Sequence, residues 1–260
     1  MKGKWYEKFF IIGVFFFLYL PIIVLIFFSF NDSTLNIVFE GFTLKWYKTL
    51  LENTTLIEAF KNTLIVALTS TVLSTLLGTI SAVGLYKYNF KLKGLINKLI
   101  YVPIVIPEIV LGISLLSVYN LMKMRLGMIS LIIAHITFST PSVLVSVRST
   151  LNDMNPYLDE ASHDLGANVW QTFFNVILPG IMPGILSGAM LAFTLSMDDV
   201  VISYFTAGPE SNTLPLFIYS IIKSGVTPSV NALLTIMLVI TFTIVTVYSV
   251  ISYKRRLKHE

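Results

Sequence analysis

The chain has 260 residues, 55% of them hydrophobic and 12% charged, with a formal net charge of +4, three His and no Cys. That charged fraction is about half the level usual in a soluble globular domain, which excludes an ordinary water-soluble fold. The lack of Cys excludes disulfides and thiolate metal sites, the scattered His leave no metal site, and the basic excess sits at the ends of apolar runs, where it reads as topology rather than nucleic-acid binding.

Six segments are long and apolar enough to cross a hydrocarbon core of about 30 Å: residues 9–30, 62–86, 99–120, 126–147, 181–205 and 229–253. The sequence therefore predicts an all-α membrane protein with six transmembrane helices, organised as a single transmembrane domain over residues 1–260. The first segment follows Lys2, Lys4 and Lys8 but is too long for a signal peptide, and no small-residue cleavage site follows it, so a retained helix is expected. The third contains Glu108 after Pro103 and Pro107, which loosen the backbone. On a continuous helix, Tyr101, Glu108, Gly112, Leu115 and Tyr119 share one face, which flanks the carboxylate with aromatic rings. His135 in the fourth segment reads as a satisfied helix-packing residue. In the fifth, Gly184, Gly188, Ala192 and Ser196 form a small-residue stripe that lets helices approach closely. Asp199 extends that stripe, whereas Asp198 is turned about 100° from it, so one acid faces a cavity and the other a neighbouring helix.

Lys and Arg are kept preferentially on the cytoplasmic side. With both termini inside, the cytoplasmic set is Lys2, Lys4, Lys8, Lys87, Lys91, Lys93, Lys98, Arg148, Lys254, Arg255, Arg256 and Lys258, twelve of the eighteen. Only the short loop with Lys123 and Arg125 opposes this. The connection 148–180 is then cytoplasmic and far the longest on that side. It reads as two short helices: Asp153 or Asn155 caps the first, with Pro156 just inside, Gly166 breaks it, and Asn168 caps a second that ends before Pro179.

An ionisable residue in the hydrocarbon region costs about 2.5 to 3.5 kcal/mol on insertion scales. Glu108, Asp198 and Asp199 lie within predicted spans, and no Lys or Arg does. The acids are protonated and hydrogen-bonded, or pair with a base of another subunit, or line a path for a cation; three acids without a base favour the last. Rings and carboxylates together suit a ligand with ammonium heads and methylene stems. No G-x-x-x-x-G-K-[ST] loop, nucleophile elbow or H-E-x-x-H helix occurs, so neither ATP binding nor catalysis is expected of this chain.

The stretch EASHDLGANVWQTFFNVILPG, from Glu160 to Gly180, resembles the EAA motif of ATP-binding-cassette (ABC) importer permeases. Glu160, Ala161, Gly166, Leu178 and Pro179 fall in register, while Ser162 replaces the second Ala and Val176 the usual Ile. FTLSMDDVVISYFTAGP and LPLFIYSIIKSGVTPSVNAL, with FTLKWY around Trp46 and the prolines near Glu108, resemble the second permease subunit of spermidine/putrescine ABC importers over nearly the whole chain. The resemblance implies a type I importer permease fold in the inner membrane. It also implies ATP held by a partner ATPase pair that docks on the EAA loop, a second and different permease, and an extracytoplasmic polyamine-binding protein. A permease for another small cation or organic solute, or an ion-coupled secondary transporter, is the alternative; the latter has no use for the EAA loop.

Overall fold

The computed structural model describes residues 5–33, 38–222 and 228–256. Lys2, Lys4, Lys223 and Lys258, which weigh in the charge count above, lie outside the described residues. The chain is all-α; among the described residues the only β pairing is an isolated antiparallel bridge between Asn31 and Phe42.

The helices are α1 (Trp5–Phe28), α2 (Lys45–Glu52), α3 (Thr54–Lys87), α4 (Lys93–Leu99), α5 (Val102–Val105), α6 (Glu108–Leu121), α7 (Met128–Asp153), α8 (Leu158–Asp164), α9 (Val169–Thr172), α10 (Leu178–Asp198), α11 (Val201–Thr206), α12 (Leu214–Ile222) and α13 (Pro228–Arg256). α1, α3, α7 and the run Val169–Asp198 are each long and apolar enough to cross a bilayer, and α4 to α6 add a fifth span if their bent halves count as one. The sixth predicted span falls in α13, whose apolar part among the described residues is Pro228–Thr243.

By internal packing the chain forms two compact units, one of residues 1–57 with 220–260 and one of residues 58–219. The physical reason is that the two ends of the chain pack on each other: in the first unit α13 lies against α1 and α2. There the Trp46 indole N–H donates to the Asn31 carbonyl at 2.6 Å, and the Ser29 and Tyr47 hydroxyls meet at 2.7 Å. α1 buries none of its residues and is apolar all round, the pattern of a helix whose solvent is lipid.

In the second unit α7 is the central strut, and α10 runs along it. The Gly184, Gly188, Ala192, Ser196 stripe is buried there as predicted. Side chains at the two glycines would collide with α7: a Cβ at Gly188 would come within 3.0 Å of the Val143 Cα. Gly78 of α3 makes the same kind of approach, 2.7 Å from the Val143 Cβ. Small residues thus bring three helices together around Val143, Leu144, Val147, Leu151, Ile181 and Ala192.

Three local expectations are corrected. The third span is not one helix: Ile106 and Pro107 are extended (ψ 136° and 135°), and the chain bends by 110° between its halves. Pro107 lacks the N–H that would continue the ladder and pushes Ile106 out of the α region. The fifth span breaks at Asp199 (ψ 124°) before restarting as α11. The second helix of the 148–180 connection does not stop before Pro179. A π turn, Phe173–Ile177, joins α9 directly to α10, with the Leu178 N–H donating five residues back to the Phe173 carbonyl. The wider register absorbs the N–H that Pro179 cannot supply.

Candidate functional site

Both breaks open on the same cavity, of about 400 Å³, within the second unit. Irregular backbone at membrane depth is tolerated only where it is buried in protein or lines a water-filled space, so two breaks converging on one cavity make that space the candidate site. Glu108, the first residue of α6, and Asp198, the last of α10, both line it, with Asp199, Phe138, Ser142 and Ile104. No basic residue is among the lining residues, and neither the Glu108 nor the Asp198 carboxylate is bonded to another residue among the described ones.

The helix ends treat these two acids differently. Glu108 sits in the first turn of α6, where unpaired N–H groups favour a negative charge. Asp198 sits at the C-terminal end of α10, where outward carbonyls add to its charge instead of offsetting it. Asp198 and the adjoining carbonyls therefore make the more strongly cation-seeking half of the cavity.

Asp199 has a different role. Its side chain is only 5% exposed, and it accepts from the Ile202 N–H at 3.1 Å, the Ser203 N–H at 2.7 Å and the Ser203 hydroxyl at 2.7 Å. It thereby caps α11. Its Oδ2 lies 3.6 Å from Nε2 of His135, whose Nδ1 is 2.6 Å from the Ser196 hydroxyl, itself 3.1 Å from that of Ser70. A buried polar chain thus ties α3, α7, α10 and α11 together at the break, and His135 is the satisfied packing residue that the sequence predicts. Both acids line the cavity, but the Asp199 oxygens are committed to α11 whereas no bond from the Asp198 carboxylate to another described residue is seen.

The expected aromatic flank does not form. Tyr101 caps α5 on the far side of the Ile106–Pro107 break, so it no longer shares a face with Glu108, and it does not line the cavity. Tyr119 is buried and donates to the Ser130 carbonyl at 3.0 Å, a packing bond between α6 and α7. Gly112 packs on the Phe205 ring of α11. The aromatic that does line the cavity is Phe138, with its ring centroid 5.0 Å from that of His135. Its sequence signal was its spacing, four residues before Ser142 and three after His135 on one helical face.

The Glu160 segment is well defined. Asn155 Oδ1 accepts from the Tyr157 N–H at 3.0 Å and starts α8, while Asp153 remains in α7. Gly166 ends α8 with φ +83°. The Ala167 N–H reaches the Ser162 carbonyl and the Gly166 N–H the His163 carbonyl, the paired bonds of a Schellman close. Asn168 and Gln171 then form a capping box at 2.8 and 2.9 Å. Ser162, in place of the family's second Ala, is buried, and its hydroxyl meets that of Thr172 at 2.8 Å, which clasps α8 to α9. Lys87, ending α3, pairs with Asp159 at 3.0 Å. Glu160, Ala161 and Gly166 are exposed, with Leu165, Trp170 and Phe174 beside them; Pro179 is exposed and Leu178 half-buried where the segment enters α10.

The family model for binding-protein-dependent transport system inner membrane components matches residues 74–255. The chain is 43% identical over 245 residues to the spermidine/putrescine transport system permease protein PotC of Escherichia coli (strain K12), covering 94% of this chain and 93% of that protein. It is 37% identical to the putrescine transport system permease protein PotI of the same strain, covering 92% and 87%. In fold it is similar to a bacterial ABC transporter involved in the import of the acidic polysaccharide alginate, with TM-score 0.74 over 96% of this chain and 94% of that one. At 18% identity that likeness is one of fold alone.

Proposed function

Because the chain belongs to the family of binding-protein-dependent transport system inner membrane components, we propose that it is one permease subunit of an ABC importer that carries spermidine or putrescine into the cell. The observation that carries the cargo assignment is the cavity at the two helix breaks, where Glu108 and Asp198 stand without a basic partner. The fold by itself does not decide the cargo, since a neighbour of the same architecture serves an acidic polysaccharide. A polyanion would be repelled from this cavity. A polyammonium chain fits it, one head on Asp198 and the carbonyl end of α10, another on Glu108, and methylenes against Phe138 and Ile104.

Hydrolysis of ATP belongs to a separate pair of ATPase subunits, which this reading docks on the exposed Glu160, Leu165, Trp170 and Phe174 surface. A second, different permease completes the pathway, and an extracytoplasmic binding protein supplies the polyamine. Both termini and the Glu160 segment lie in the cytoplasm. The run Val169–Asp198 spans 30 residues, about 45 Å at helical rise, and links the docking surface to the cavity acid in one element. A tilt imposed at its docked end moves Asp198 and releases the cargo.

The test is uptake of radiolabelled spermidine by cells carrying Glu108→Gln or Asp198→Asn, normalised to permease abundance. Each lost charge-assisted bond should lower apparent affinity or rate about ten- to hundred-fold. Unchanged uptake in both variants would remove the cavity as the reason for a cationic cargo.

A further inference from the structure

We propose that a second cavity, adjoining the acid cavity on the side of the Glu160 segment, is an uncharged release station that receives the ammonium groups after they leave Glu108 and Asp198. This rests on the polyamine reading above and extends it to a site of different chemistry.

The second cavity, of about 500 Å³, lies along α7 and α10 and is lined by Ser142, Ser146, Ser149, Thr150 and Ser187, with Ile104 at its edge. Ile104 and Ser142 line both cavities, so the two spaces adjoin across that pair. Ser142, Ser146 and Ser149 stand at i, i+4 and i+7 on one face of α7, a hydroxyl row about 10 Å long that leads away from the acids. No acidic or basic residue lines this cavity.

The direction of the hydroxyl bonds of three of these residues limits what they can bind. Ser146 donates to the Gly184 carbonyl at 3.0 Å, Thr150 to the Ser146 carbonyl at 3.4 Å, and Ser187 to the Pro183 carbonyl at 2.8 Å. With their protons committed to backbone, these oxygens offer lone pairs to the cavity. An ammonium group is the complementary partner, since it carries donors and no acceptor. Hydroxyls that bond back to their own helix are ordinary in membrane helices, and Ser114, Ser117 and Thr137 do the same here. What distinguishes this set is a shared cavity that adjoins, across Ile104 and Ser142, the one lined by Glu108 and Asp198. Neutral acceptors also suit release: conduction needs binding strong enough to enter and weak enough to leave, and further carboxylates would trap a polycation.

The experiment uses the assembled transporter in proteoliposomes with ATP and spermidine-loaded binding protein. Ser149→Ala and Ser187→Ala should each lower the maximal transport rate about two- to tenfold, with the half-saturating concentration unchanged within about twofold. Ser187→Thr, which keeps the oxygen, should restore the rate. Ser187→Lys should block transport while the complex still assembles. Wild-type rates in both alanine variants, with transport surviving Ser187→Lys, would overturn the release station. If Glu108→Gln still impairs uptake in that case, the polyamine reading survives without it; if Glu108→Gln and Asp198→Asn are also silent, that reading fails as well. Loss of the second permease from complexes of Ser187→Lys would likewise overturn the proposal, because the hydroxyl face would then be a subunit contact.

Discussion

Asp198 and Asp199 are chemically identical neighbours that the backbone sends to opposite fates. The two oxygens of Asp199 accept three bonds, so an amide there must turn a donor toward N–H or O–H groups that already donate. Asp199→Asn should therefore cost about 1 to 3 kcal/mol of stability, seen as reduced membrane abundance and earlier thermal aggregation in detergent. Asp198→Asn should leave both at the wild-type level and lower uptake alone. Equal behaviour of the two variants would mean that the break does not separate their roles. Spacing along one helix places all three acids on a cation path, but hydrogen-bond acceptance by Asp199 depends on where α11 restarts.

At the scale of elements, the Glu160 segment is held by its own turn, caps and buried clasp. Gly166 needs its left-handed φ of +83°, which costs a residue with a Cβ about 1 to 2 kcal/mol. Gly166→Ala should loosen the turn and reduce both uptake and cargo-stimulated ATPase activity of the complex, with insertion and abundance unaffected. Glu160→Lys alters the exposed surface without touching the turn and should lower the same ATPase signal. Normal stimulated ATPase activity in both variants would remove the docking role. The buried clasp between Ser162 and Thr172 explains why Ser is accommodated at a position where the motif has Ala: a small residue is required, and the hydroxyl finds a partner across the turn.

For the whole molecule, the proposed topology, with both termini and the Glu160 segment in the cytoplasm, is open to direct test. The chain has no Cys, so single cysteines report cleanly. Ser162 is a poor site because it is buried, whereas Glu160 and Glu210 are exposed. An impermeant thiol reagent should label Glu210→Cys in intact cells and Glu160→Cys only in inside-out vesicles. The reverse pattern would invert the orientation and put the Glu160 segment out of reach of an ATPase.

Sequence alone determined the solvent, the helical class, the acids in the membrane, the small-residue stripe and the Gly166 and Asn168 punctuation. Each of these depends on local composition or on spacing along one helix. Tertiary structure decided which acids meet. It showed that Tyr101 parts from Glu108 across the bend, that Phe138 lines the cavity with Glu108, and that the second helix of the Glu160 segment runs on into α10. Those outcomes turn on two backbone breaks and one π turn. Helical periodicity projects side chains along a continuous axis, and once the axis bends by 110°, residues on one projected face part company while residues from separate spans converge.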